Sequence, residues 1–204
     1  MQFLLLFLRS PNLVAWEARD LAGGKTLGPT GRDRRAGFER VVAVEAPGEP
    51  EVDGPFRHAA AAILRYDIFP SRLVTPVLRR APVQIGDTVG TQYHFLPGID
   101  LFFASQVVDC FDERGGDSWR SGFTYRTLAG HPVIGEEMFS VEKDVATGRV
   151  TVALRSWSRP GIWLARATRP LMRWLQFRAG RAALDHLQAV VTAPASGCRS
   201  SSWP

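Results

Sequence analysis

Between residues 87 and 157 the side chains alternate apolar and polar with a period of two, in five segments of similar length. The segments run over 87–95, 100–111, 118–128, 133–143 and 149–157. The breaks between them are Pro97-Gly98, Gly115-Gly116, Gly130-His131-Pro132 and Ala146-Thr147-Gly148. Period two is the signature of a strand with two unlike faces, and tight turns can join only antiparallel neighbours. Phe38 to Ala46, with Val41, Val42 and Val44, reads as a further strand. After residue 160 the pattern becomes helical up to Val191, interrupted at Pro170, so a short helix, a kink and a long helix are expected. A curved sheet cannot bury its concave face against itself, and a long amphipathic helix laid across that face closes it. The expected fold is therefore α+β: a curved antiparallel sheet of about six strands under a long kinked C-terminal helix, with Leu171 and Leu175 turned to the concave face.

Between the first strand and the meander, Pro47 to Gly54 reads as a turn. Pro55 then opens a helix with Asp53 as a possible cap, and Phe69-Pro70 stops it. Ser71 to Arg80, bounded by Ala81-Pro82, reads as a second short helix or turn. Upstream, Ser10 or Asn12 can cap a helix over Leu13 to Leu21 that Gly23-Gly24 ends, and residues 23 to 37 read as an exposed basic loop. Residues 3 to 8 read as a buried strand or helix start rather than a signal peptide. They follow no basic segment, and no small-residue cleavage site comes after them.

A chain of 204 residues suits one domain, here residues 1–191, with 192–204 as a disordered polar tail. Nowhere do eighteen apolar residues run together, so no transmembrane helix is expected and a cytoplasmic location is the default. The formal charge of +5 raises the question of nucleic acid. Yet only Lys25 and Lys143 are lysines, an arginine bias that a GC-rich, bacterial-type coding sequence produces by itself, and nucleic-acid binding is not expected. Cys110 falls in a strand pattern and Cys198 in the tail, so no disulfide between them is expected. Two cysteines without C-x-x-C spacing give no ordinary zinc site. Without a Gly-x-Gly-x-x-Gly or phosphate-loop pattern, no nucleotide cofactor is expected either.

The order of elements resembles the START-related, Bet v 1-like fold (SRPBCC class), a helix-grip whose members commonly bind lipids, sterols or polyketides. A closer resemblance lies in Gly122-Phe-Thr-Tyr-Arg-Thr-Leu-Ala-Gly-His-Pro-Val-Ile-Gly-Glu-Glu-Met-Phe139, which is similar to the signature of the DUF1990 (UPF0548) family of uncharacterised proteins. Ser156-Trp-Ser-Arg-Pro160, Trp163-Leu-Ala165, Tyr66 to Pro70 and Gly86-Asp-Thr-Val-Gly90 match it as well, and the match runs over about residues 38–190. The family resemblance implies a domain of unassigned function, and the fold resemblance implies a hydrophobic, lipid-like ligand in a START-like cavity. Together they offer Tyr66, Phe123, Trp157 and Arg159 as ligand-binding candidates in the matched stretches.

The hairpin around Gly130-His131-Pro132 holds the densest polar cluster. If Leu128 pairs with Val133, Tyr125 lies opposite Glu136 and Thr124 opposite Glu137, and Arg155 comes beside Glu136 from the next strand. Tyr125, Glu136 and Arg155 could then hold a polar ligand head, or do the acid–base work of a cyclase- or hydrolase-type enzyme. The same residues also read as an ordinary cross-strand ion pair facing solvent, and a slip of one residue would exchange Glu136 for Glu137. His131, before a proline in a turn, reads as a backbone-orienting residue beside a weaker catalytic reading. On the C-terminal helix Leu164, Leu171, Leu175 and Ala182 form one stripe and Arg166, Arg169, Arg173 and Arg181 the opposite one. Trp163, Trp174 and Phe177 lie among the arginines. Arginine with tryptophan on one face suits a membrane surface. The alternative is that the kink turns these aromatics inward.

Overall fold

A computed structural model of the chain describes residues 12–24, 29–30, 34–96, 99–161 and 169–192. Within them one antiparallel sheet of seven strands curls around two helices. Strand β1 spans Arg34–Val44, β2 Val74–Val77, β3 Thr88–Leu96, β4 Ile99–Gly115, β5 Ser118–Thr127, β6 Val133–Asp144 and β7 Arg149–Pro160. Their order across the sheet is β1-β7-β6-β5-β4-β3-β2. The five expected meander strands all form, each paired antiparallel with the next. The first two strands stand at opposite edges, so the chain between them must cross the sheet. It does so over the concave face as helix α2, Pro55–Leu64, which follows a single-turn helix α1 at Val14–Glu17. Helix α3, Arg169–Thr192, is the long closing helix.

Several boundaries differ from the sequence reading. The first helix covers only four residues, although Asn12 Oδ1 does accept from the Ala15 N–H at 3.2 Å. Leu21, expected at the helix end, instead forms a lone bridge to Leu128. Strand β1 begins at Arg34, inside the span read as loop. Residues 74–77, read as helix or turn, are a strand paired with β3 from Val74–Tyr93 to Val77–Gly90. Its Pro76 is tolerated because β2 is an edge strand. Pro170 falls in the first turn of α3, where a missing N–H leaves no bond unmade. The expected short helix before it, like residues 3 to 8, Cys198 and the expected tail beyond Thr192, lies outside the described residues.

The core fills the space between the concave face and the two helices. Phe56, Ala59, Ala62 and Ile63 of α2 meet Phe123, Phe139, Val141, Val152 and Leu154 of the sheet and Ala183, Leu184, Leu187 and Val191 of α3. The other end of α3 places Leu175 against Leu73, Val74 and Tyr93. Leu175 is buried as expected; the Leu171 side chain lies outside the described residues. On the outer face, Leu13 and Trp16 cover Phe102 and Ala104. Curvature is helped by Gly122 and Gly135. A Cβ on either would run into a carbonyl of the neighbouring strand, Phe139 for one and Trp157 for the other.

The start of α2 is held by a buried ion pair and not by Asp53. Gly54 occupies the cap position and gives no side-chain bond. Glu45, at the end of β1, accepts from the Phe56 N–H at 2.6 Å and from the Glu51 N–H at 3.2 Å. Lys143 of β6 donates to the same carboxylate at 2.7 Å and to the Glu49 carbonyl at 2.8 Å. Both side chains are 0% exposed. A carboxylate at a helix N-terminus is favoured by the first-turn N–H groups, and Lys143 supplies its counter-charge. Removing one member strands the other in a dry site. Lys143→Ala should therefore lower stability by about 3–5 kcal/mol, read from urea unfolding, whereas Glu142→Ala at an exposed neighbour should change it by less than about 0.5 kcal/mol.

Candidate functional site

Where α3 leaves the concave face, next to β3 and the β5–β6 hairpin, the core opens into a cavity of about 180 Å³. Its walls are mostly apolar and aromatic: Phe38, Tyr66, Phe69, Val74, Leu101 and Phe103 from the sheet and α2 side, with Leu175 and Ala179 from α3. Tyr66, Phe69, Phe123, Tyr125 and Phe139 form a continuous ring cluster. Centroid separations run from 5.3 Å for Tyr125–Phe139 to 6.4 Å for Tyr66–Phe69, the range in which offset and edge contacts are favourable.

Tyr66 owes its place to the way α2 ends. Its N–H bonds the Ile63 carbonyl and the Asp67 N–H bonds the Ala62 carbonyl, at 2.9 and 2.8 Å. This double closure requires a left-handed residue at Tyr66, whose φ is 59°. Glycine normally fills that position; a bulky side chain there costs about 1–2 kcal/mol. The compensation is a fully buried ring whose hydroxyl meets Thr91 Oγ1 at 3.1 Å. Burial pushes the Tyr66 hydroxyl up to about 12.

The hairpin brings its polar residues together in a different register from the one expected. Tyr125 faces Glu137 and Arg126 faces Glu136, while Thr124 faces Met138. The shift is one residue, and its cause lies in the turn. Leu128 is drawn into the bridge with Leu21 and its carbonyl accepts from the His131 N–H at 3.0 Å, so β5 ends at Thr127. The consequence is a sorting of the two glutamates. Glu137 shares the concave face with Tyr125, whose hydroxyl donates to Glu137 Oε2 at 2.8 Å. Glu136 shares the other face with Arg126, its ion-pair partner, and with Trp157, whose indole N–H donates to Glu136 Oε2 at 3.0 Å.

Electrostatics separate the groups further. Burial raises the Glu137 carboxyl above its ordinary range, against a smaller lowering by the Tyr125 hydrogen bond. The Tyr125 hydroxyl is raised well above its usual value, first by burial and then by the neighbouring Glu137 charge. His131 lines the cavity with Phe103 at 4.8 Å edge-on, and burial lowers it to about 4, so the ring is neutral at pH 7. Its Nδ1 lies 3.1 Å from the Val133 N–H and 2.9 Å from the Val133 carbonyl, the backbone-orienting role expected of it.

The expected residues therefore divide. Tyr66, Tyr125, His131 and Glu137 come together at the cavity. Phe123 lies behind it in the core. Glu136 and Trp157 border it but spend their polar atoms on each other and on Arg126. Arg155 is not brought there: it faces Met138, is exposed, and reaches Glu39 at 3.7 Å. Arg159 is half-buried on β7 and is not part of the cavity wall. Sequence reasoning missed Thr91, the partner of Tyr66, and Tyr93, whose buried hydroxyl has no hydrogen-bond partner among the described residues. Both sit at concave positions of β3, and strand alternation alone could have found them. Among the described residues no group of three or more His, Cys, Asp or Glu side chains could hold a metal ion.

A curled antiparallel sheet gripping a long C-terminal helix, with a small aromatic cavity between, defines a helix-grip domain of the Bet v 1/START-like kind. Residues 24–186 match the profile of the Domain of unknown function (DUF1990), and the chain belongs to that family. A UPF0548 protein of Dictyostelium discoideum is 31% identical over 129 residues, an alignment covering 59% of this chain and 59% of that protein. A hypothetical protein from Helicobacter pylori, solved by crystallography, superposes with a TM-score of 0.51 at 13% identity, over 79% of this chain and 89% of that one. At that identity the likeness is one of fold. A major latex-like protein from Panax ginseng reaches a TM-score of 0.49 at 14% identity, over 80% of this chain and all of that one.

Proposed function

We propose that this domain binds a small, largely apolar molecule in the concave cavity beneath α3. The observation that carries the reading is the combination of an open aromatic space of about 180 Å³ with polar atoms left for a guest. Among the described residues the Tyr93 hydroxyl is buried without a partner and Glu137 receives a hydrogen bond from Tyr125 alone. Buried polar groups without partners are rare in a finished core, and apolar pockets with a few convergent polar groups are the usual form of ligand sites. In size, the space is close to engineered cavities of about 150 Å³ that admit benzene, so single-ring molecules are the matching class and not sterols. Toluene should raise the melting temperature and show saturation transfer from the protein in NMR. Ala179→Phe, which projects a ring from α3 into the space, should abolish both effects without changing the circular dichroism. Toluene binding that survives in Ala179→Phe, or none in the wild type, would contradict the reading.

A second reading rests on the outward face of the same helix. Trp174 and Phe177 are 54% and 52% exposed, with Arg173, Arg178 and Arg181 exposed beside them, so these aromatics do not turn inward. Phe177 still contacts Phe38 at 5.5 Å. Trp163 and Arg166, and the side chain of Arg169, lie outside the described residues. No described helix is long and apolar enough to cross a membrane, and we propose that this face rests on an anionic surface instead. Arginines near such a leaflet contribute about 1 kcal/mol each, screened within a Debye length. Sedimentation should show preference for phosphatidylserine vesicles over phosphatidylcholine, loss in high salt and a further drop in Trp174→Ala. Equal binding to both vesicle types would dismiss it.

A further inference from the structure

The cavity wall has a charge character opposite to that of the molecule. The chain carries a formal charge of +5, with 25 basic residues against 20 acidic ones. Yet among the described residues that line the cavity there is no lysine and no arginine, and two glutamates are present. His131, the remaining group able to carry positive charge, is kept neutral by burial. One of the two acids, Glu136, is neutralised by Arg126 and by the Trp157 N–H. The other is not. Among the described residues Glu137 takes a single hydrogen bond, from a tyrosine, and no basic side chain there influences its ionisation, which burial opposes. An ionised carboxylate offers about four lone-pair sites, and Tyr125 takes one of them on Glu137.

The carboxyl shares the cavity wall with the aromatic rings of Tyr66, Phe69 and Tyr125, and the Tyr66 and Tyr125 rings lie 6.4 Å apart. Aromatic rings attract cations, and a half-buried carboxylate is stabilised by a paired one. An anionic guest would meet a second negative charge, and no lysine or arginine among the described residues of the wall offsets it. We infer that the molecule bound in this cavity is a small organic cation, a primary or secondary amine on an apolar ring-sized body, with its ammonium group on Glu137. This rests on the cavity-binding reading above and adds to it the charge of the guest.

Three probes of one size separate the possibilities by calorimetric or ligand-observed NMR titration at constant ionic strength: benzylamine, benzyl alcohol and benzoate. Hydrogen bonds between charged partners are the stronger class. Benzylamine is therefore expected to bind at least about tenfold more tightly than benzyl alcohol, with benzoate the weakest. Glu137→Gln should erase the preference for the amine, bringing benzylamine to within about twofold of benzyl alcohol on the same variant. That pattern is one a purely structural role of Glu137 would not give. If Glu137→Gln does not fold, the ranking of the three probes on the wild-type chain still decides the matter. Benzyl alcohol binding as tightly as benzylamine, benzoate binding best, or an amine preference that persists in Glu137→Gln overturns the inference while leaving the cavity reading standing. Failure of all three probes together with toluene overturns both.

Discussion

An antiparallel sheet that curls far enough to have a concave side acquires an apolar surface that no strand can cover. Everything else in this chain follows from how that surface is roofed. Because β1 and β2 occupy the two edges, the segment between them has to pass over the concave face, and it does so as α2. The pair Glu45–Lys143, fully buried, fixes where α2 begins by linking its first turn to the ends of β1 and β6. Helix α3 then covers what α2 leaves bare. A buried ion pair is a weak source of net stability but a strong constraint on geometry, since a shift of either partner leaves a charge unpaired. With α2 pinned, Tyr66 is delivered by the left-handed end of the helix to one place on the sheet.

The roof is packed at the α2 end, and at the other the described residues enclose a cavity. There the wall changes from tightly packed aliphatic and phenyl groups to tyrosines, a neutral histidine and Glu137. Strand alternation accounts for the separation of two adjacent glutamates into unlike environments. Glu136 lies on the outer face, satisfied by Arg126 and Trp157, whereas Glu137 lies on the concave face with Tyr125. The domain thus holds a carboxyl whose ionisation is opposed by burial at the point where its apolar enclosure is incomplete. Such a group costs free energy in the folded state unless something compensates it.

The strands from β3 to β7 were legible because each combines period two with strong turn residues, and both signals are local. The one-residue register of the β5–β6 hairpin was not, because it depends on how the turn closes, where Leu128 accepts from His131 and bridges the distant Leu21. That displacement is also what exchanged Glu136 for Glu137 at the cavity, whereas Arg155 faces outward because its β7 neighbour Leu154 faces the core. Strand β2 was unreadable for a similar reason. Val-Thr-Pro-Val is four residues with a proline, and only the backbone of β3 makes it a strand. Asp53 looked like the cap of α2 by proximity in sequence, but Glu45 reaches the same N–H from β1. Local chemistry showed the elements; contacts distant along the chain decided which side chains share the cavity.

The claim on which the rest depends is that the space beneath α3 admits a guest. Diffraction at the bromine absorption edge from crystals soaked in bromobenzene locates the heavy atom without reference to any assumed ligand. The account predicts an anomalous peak among Tyr66, Phe69, Phe103, Tyr125 and Leu175. A peak confined to the outer surface, with those side chains closed over one another, would contradict it.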